Sequence, residues 1–331
     1  MSGERDWEKD LLGPHRVVKP SLRGRGGPPR EVRASTLSIA ERLRAARGVP
    51  QAVVKISKYL KGREACRKNW LYNSRGEKLA LETEEGELLR TREDQLSVLD
   101  AWALRFCTRK NSRDQANIIV SSVPGSSPEA VQRAARAFGK DAFKDRRYHF
   151  VLHNDKRHPH VHFAVEMQGR EKKFDPRKKD LRRWRELWAE KAREQGIDMA
   201  CSSRAARGVG RRGQKLPLHH MQQRGVTPGV TRLAVKEVAT PGAETAWETY
   251  ARARNAAERQ AYRQSANELR ASAKKASAAD RPKLEAAAGE LEQFADRMPV
   301  AKTRRQQLRE AFNVHRKQRS PGSREPDDRE R

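Results

Sequence analysis

Cysteine and aromatic residues are scarce in this chain, acidic residues are outnumbered, and long apolar runs are missing. Three cysteines, Cys66, Cys107 and Cys201, have neither metal-finger spacing nor the even number of a disulfide framework. A reducing, cytoplasmic setting is therefore expected. No run approaches the ~20 apolar residues of a membrane span. The opening stretch MSGERDWEKDLL lacks the apolar segment of a secretory leader. Aromatic residues make up 6% and hydrophobic residues 36% of 331 residues. That is too little for one compact core over the whole length, so a modest folded domain with basic, solvated extensions is expected.

What is abundant is positive charge. Lys and Arg number 72 against 43 Asp and Glu, a formal net charge of +29. A surplus of this size calls for a polyanionic partner, with nucleic acid ahead of an anionic membrane surface. Charge alone does not separate DNA from RNA, or an enzyme from a packing protein.

Composition divides the chain into five stretches. Residues 1–48 read as a flexible basic N-terminal extension, with a short helix over 36–47 at its end. Residues 49–202 read as the folded domain, 203–243 as a Gly/Pro/basic linker or lid, 244–316 as a helical extension broken near Pro282 and Pro299, and 317–331 as a disordered tail. Inside the folded domain the pattern predicts a strand at 52–57, a helix at 63–74, and a loop or hairpin around Glu82, Glu84, Glu85 and Glu87. A helix at 94–107, a strand at 117–121, a turn at 121–128 and a helix at 129–143 follow. Strands at 148–153 and 160–166 and a helix over 180–196 complete it. This order predicts an α+β domain, an antiparallel sheet with helices packed on one face and the other face left for ligands.

The densest chemistry is His153-Asn-Asp155-Lys-Arg-His158-Pro159-His160-Val-His162. His160 and His162 are two apart on a strand and leave the same face, while Val161, Phe163 and Val165 take the other. On the preceding strand Phe150 and Leu152 are the apolar set, which puts His153 opposite them. If the apolar faces align, His153, His160 and His162 converge as a metal site with open positions for substrate. Asp155 is placed to orient one ring through its free N–H. A wet sheet face is the bland alternative for any single histidine, but four of nine histidines fall within ten residues. His158 reads as a loop residue near the site, and His149 as a satisfied or DNA-facing histidine.

The pattern H-x-D-x-x-x-P-H-x-H followed by an apolar strand resembles the third motif of plasmid mobilisation relaxases. These are His-hydrophobic-His endonucleases, here of the single-tyrosine type, similar to the border-nicking and mobilisation nucleases of conjugative systems. VVKISKYLKG with LYNSRG resembles their first motif, VSSVPGSSPEAV their second, and KKDLRRWRELWAEKAREQGI the helix that follows; the resemblance covers about residues 50–210.

The resemblance implies a single-strand nick at a plasmid transfer origin for conjugative mobilisation. A tyrosine hydroxyl attacks a DNA phosphodiester, keeps the 5′ phosphate and leaves a free 3′ hydroxyl. A divalent metal, Mg or Mn, held by the histidines polarises the phosphate. The implied partners are single-stranded or supercoiled plasmid DNA at the origin, accessory relaxosome proteins, and a coupling protein or type IV secretion system. In the family the nucleophile sits in a Y-x-x-R-like stretch after a short helix, which Tyr72-Asn-Ser-Arg75 matches, with Arg75 able to neutralise a phosphate. Tyr59 is the other candidate, although packing accounts for it; Asn73 stands where an apolar residue is expected. Asp155 is a possible base as well as an orienting group. Ser121 and Ser122 match a family serine that contacts DNA, with turn capping an equal alternative. Arg67 and Lys68 are candidate phosphate contacts. Trp70 reads as core before base stacking. A rolling-circle replication initiator, a non-catalytic relaxosome DNA-binding protein and a phosphoesterase using water are the rival readings.

Overall fold

The computed structural model describes residues 31–155, 157–169, 174–209, 220, 221, 223–226, 229, 245–300, 302 and 304–318. They form two compact units: residues 47–202, and the described parts of 1–46 with 203–331.

The first unit is α+β. Its strands are β1 (Val53–Leu60), β2 (Leu81–Thr83), β3 (Leu88–Leu89), β4 (Gln115–Ser121), β5 (Tyr148–His153) and β6 (His160–Glu166). They make one six-stranded antiparallel sheet in the order β1-β4-β6-β5-β2-β3. The alternation in β4, β5 and β6 decides which side is core. Ile118, Val120, Phe150, Val161, Phe163 and Val165 point to one face and are almost fully buried. The helices α4 (Pro128–Ala142) and α5 (Lys178–Glu194) close that face with Val131, Phe138, Trp184 and Trp188. Pro128 opens its helix with a fixed φ, and the Ser127 hydroxyl caps the Ala130 N–H.

The second face differs from expectation. It is not left bare: α2 (Arg63–Asn73) and α3 (Arg92–Ala103) cover one end of it. Trp70, Leu99 and Trp102 pack there with Cys66, Leu81, Leu89 and Val151. The physical reason is that two indoles and a leucine on these short helices need an apolar partner, and Val151 supplies it on the otherwise polar side of β5. His149 lies in the same layer, 4.2 Å from the Trp70 ring and 5.9 Å from that of Trp102. It is fully buried and neither ring nitrogen has a partner among the described residues. The satisfied or DNA-facing role expected for it is therefore corrected.

β1 runs to Leu60, three residues past the predicted end, because its alternation is broken by a bulge between Ile56 and Lys58. The Ser57 hydroxyl donates to the Asn117 carbonyl at 3.0 Å and accepts from the Asn117 amide at 2.9 Å. The helix expected at 94–107 starts earlier, at Arg92, because Thr91 and Asp94 form a reciprocal cap.

The second unit contains α1 (Ile39–Ala46), α6 (Ala246–Ala273), α7 (Arg281–Arg297) and α8 (Arg304–Gln318). Its core joins Ala45, Ile39 and Leu43 of α1 to Tyr262, Ala266, Leu291 and Ala295. Residues 39–46 form the short helix expected over 36–47, and it is packed because its apolar stripe finds a partner. The break between α6 and α7 falls at 274–280, and Pro282 sits in the first turn of α7, where a missing N–H costs nothing. Residues 1–30, most of the 203–243 stretch and residues 319–331 lie outside the described residues. No described helix is long and apolar enough to cross a membrane.

Candidate active site

Strand register gathers the histidines. Val53, Ser121, His160 and His153 form one row across β1, β4, β6 and β5; Lys55, Ile119, His162 and Val151 form the next. Opposed residues in an antiparallel sheet share a face, so all three imidazoles rise on the same side. Their ring centroids are 4.5 to 5.3 Å apart, and one nitrogen of each lies within 4.8 Å of the others. Three imidazoles at this spacing suit one divalent cation with positions left for substrate oxygen.

Backbone carbonyls orient two of the rings. His153 Nε2 lies 2.7 Å from the Asn73 carbonyl, so it carries the proton and donates. Its Nδ1, 3.3 Å from the Arg75 guanidinium, then accepts. His160 Nδ1 donates to the His158 carbonyl at 3.1 Å. His162 Nδ1 is buried without a partner among the described residues. Burial, then the charges of His153, His160, Arg75 and Lys55, push His162 down to about 3. Burial also lowers His153, with Arg75 and His160 adding to it against the opposing pull of the Asn73 carbonyl and Asp155. Lowering of this kind keeps the lone pairs of His153 and His162 available to a metal.

Tyr72 lies in the last turn of α2 and is 58% exposed. The Arg75 guanidinium stands 5.5 Å from its ring centroid and the Lys58 ammonium 5.9 Å. Lys58 reaches this side because of the bulge. Without the extra residue, Ser57 and not Lys58 would share the face of Lys55. Tyr59 consequently turns to the opposite face, packs against the main core and is covered by Arg113 at 4.1 Å. Tyr148 is buried in that core as well, and Trp70 is buried with its indole N–H on Gln115.

Arg75 follows the helix with φ of 55°, a left-handed conformation that a side chain rarely adopts. Such strain, roughly 1–3 kcal/mol, persists where surroundings fix it. Here the guanidinium donates to Asp155 at 2.6 Å and approaches His153. Asp155 is thereby reassigned. Partial burial alone would raise its carboxyl, but Arg75, a backbone N–H and the imidazoles outweigh that and hold it below the usual range. A carboxylate so stabilised is a poor proton acceptor, and on the His153 ring it is the Asn73 carbonyl that accepts.

Ser121 shares the histidine row, opposite His160. Ser122 does not: it is buried, with its hydroxyl on Ser126 at 2.9 Å and its N–H on the Pro159 carbonyl. Its expected contact with DNA gives way to a turn-holding role. Arg67 makes two hydrogen bonds to Glu64, each 2.7 Å, so its charge is already matched. Lys68 is exposed one turn before Tyr72, 3.6 Å from Glu64. Lys58 stands among the basic residues that flank the tyrosine region in sequence, and the fold sets it beside Tyr72; the Asn73 carbonyl has no such sequence signal.

Residues 72–197 match the family described as Relaxase: MobA/VirD2-like, nuclease domain. No curated protein matches the chain. Among solved structures, one described as the molecular basis of vancomycin resistance transfer in Staphylococcus aureus is similar at 15% identity, covering 46% of this chain and 99% of that chain with a TM-score of 0.33. The family match takes in Tyr72, Arg75, Asp155 and all three clustered histidines, so over residues 72–197 the chain is similar to the nuclease domain of the MobA/VirD2-like relaxases.

Proposed function

We propose that this protein nicks one DNA strand at a plasmid transfer origin through a tyrosine–5′-phosphate intermediate, in the service of conjugative mobilisation. The observation that carries the reading is one exposed tyrosine, flanked by Lys58 and Arg75, at the end of the helix whose Asn73 carbonyl holds His153. Tyr72 is the nucleophile. Its oxygen bonds to phosphorus as the bond to the 3′ oxygen breaks; the phenolic proton passes to solvent and the leaving 3′ oxygen takes one up. Attack by the 3′ hydroxyl on the phosphotyrosyl bond reverses the step. Arg75 and Lys58 offset the charge that gathers on the phosphate oxygens.

His153, His160 and His162 would hold a divalent cation, Mg or Mn, supplying positive charge at the scissile phosphate. Ser121 and Lys68 contact the strand nearby. Residues 49–202 act as the nuclease domain, and the helical extension at 244–316 meets accessory relaxosome proteins or a coupling protein of a type IV secretion system, in the cytoplasm.

A denaturing gel tests the chemistry. Full-length protein, Mn²⁺ and an oligonucleotide carrying a candidate transfer origin should yield a covalent protein–DNA band. Tyr72→Phe and chelator should each remove it, by about 1000-fold or more for the variant. An undiminished band in Tyr72→Phe, lost instead in Tyr59→Phe, would overturn the assignment of the nucleophile. No band on any origin would overturn the strand-transfer reading.

A further inference from the structure

Pairing between β5 and β2 stops early. Glu82 pairs with Phe150 and Thr83 with His149, and β2 begins at Leu81, so nothing in it pairs with Leu152. Successive residues of an antiparallel strand turn their N–H and C=O to opposite edges. The Tyr148 carbonyl accepts from the Glu84 N–H on the β2 side. Leu152, four residues on, therefore presents its own N–H and C=O to that same side, beyond the end of the pairing.

The edge opens on a cleft of about 620 Å³, a size in the range of small-molecule sites. Leu79, Ala80 and Leu88 give it apolar walls, and Arg75 and Lys78 add positive charge. His153 and Asp155 line it too, so it is continuous with the histidine cluster.

We propose that this cleft receives one nucleobase of the strand being cut, beside the scissile phosphate, and that the Leu152 main chain reads its hydrogen-bonding edge. An N–H and a C=O on one residue form a donor–acceptor pair, complementary to the pair a base displays on its Watson–Crick edge. That edge is free only in an unpaired strand. The apolar walls take the ring faces, and the two cations take the adjoining phosphate. The inference rests on the reading of the histidine cluster as a strand-cutting site.

The test uses full-length protein and an origin-bearing oligonucleotide in which one abasic site, or one 2-aminopurine, is moved base by base. At a single position the abasic lesion should weaken binding about 10–100-fold, and 2-aminopurine there should change its fluorescence on binding. Ala80→Trp, which fills the cleft, should weaken the intact oligonucleotide by the same factor and the abasic one no further. Leu88→Trp, at an exposed position, should do likewise and serves if Ala80→Trp fails to fold. A flat abasic profile, or both tryptophan variants keeping the wild-type ratio, would overturn the pocket. Covalent adduct formation with a flat profile sinks the pocket alone. One sensitive position without any adduct sinks the cutting reading and leaves the pocket standing.

Discussion

The two faces of the sheet are built from the same three strands and have opposite chemistry. Toward α4 and α5, β4, β5 and β6 offer Ile118, Val120, Phe150, Val161, Phe163 and Val165, with no polar side chain among them. Toward α2 and α3, the same strands offer Gln115, Asn117, His149, His153, His160 and His162. Several of these keep buried polar atoms without a partner among the described residues: Asn117 Oδ1, both His149 nitrogens and His162 Nδ1. Buried polar groups cost stability unless paired. The first face therefore holds the domain together, and the second is maintained at some cost so that three imidazoles stand side by side.

The sharpest way to break this contrast is Phe163→Ala. Phe163 is fully buried among Phe138, Phe143 and Phe150. Its truncation should cost about 3–5 kcal/mol by chemical denaturation. A cost under about 1 kcal/mol would mean that the apolar face is not where stability resides. Next comes His162→Gln. Saturating Mn²⁺ at 100 times its Kd should stabilise the wild type by about 2.7 kcal/mol, and the variant should lose that increment while its metal-free melting barely moves. Equal metal stabilisation in both proteins would detach His162 from the cation.

The smallest effect is expected from His149→Phe. Burial pushes His149 down from 6.5 to about 3, so it stays neutral in the fold while the unfolded chain binds a proton near 6.5. Between those values the unfolded state holds more protons, and stability falls as pH drops. Phenylalanine should change stability at pH 7 by no more than ~1 kcal/mol, since it removes unpaired nitrogens from an aromatic layer. It should also flatten the loss seen in melting curves between pH 7 and pH 5. An unchanged pH slope would show that His149 does not carry that loss.

Much of this was legible in residue order. Period-two alternation around Phe150, Val161 and Phe163 assigns the histidines to one side, four of the six strands and the helices among them follow the predicted order, and β2 and β3 form where a loop or hairpin is expected. Three things were not legible, for distinct reasons. The bulge at Ser57 is an interruption of alternation that reads as the end of a strand, and it hid the face that Lys58 takes. The covering of His149 by Trp70 and Trp102 depends on contact between segments about 50 to 80 residues apart in sequence, which no local pattern records. The Asn73 carbonyl that holds His153 is main chain, and every residue has one.

That carbonyl has a mechanical consequence. The side chain of Tyr72 and the acceptor for His153 belong to adjacent residues in the last turn of α2. The distance from tyrosine to imidazole cluster is thus spanned by a single peptide unit, with Arg75 clamped to Asp155 just beyond it. Unwinding that one turn would release the phenol, the ring orientation and the guanidinium together, so the site is either assembled as a whole or lost as a whole.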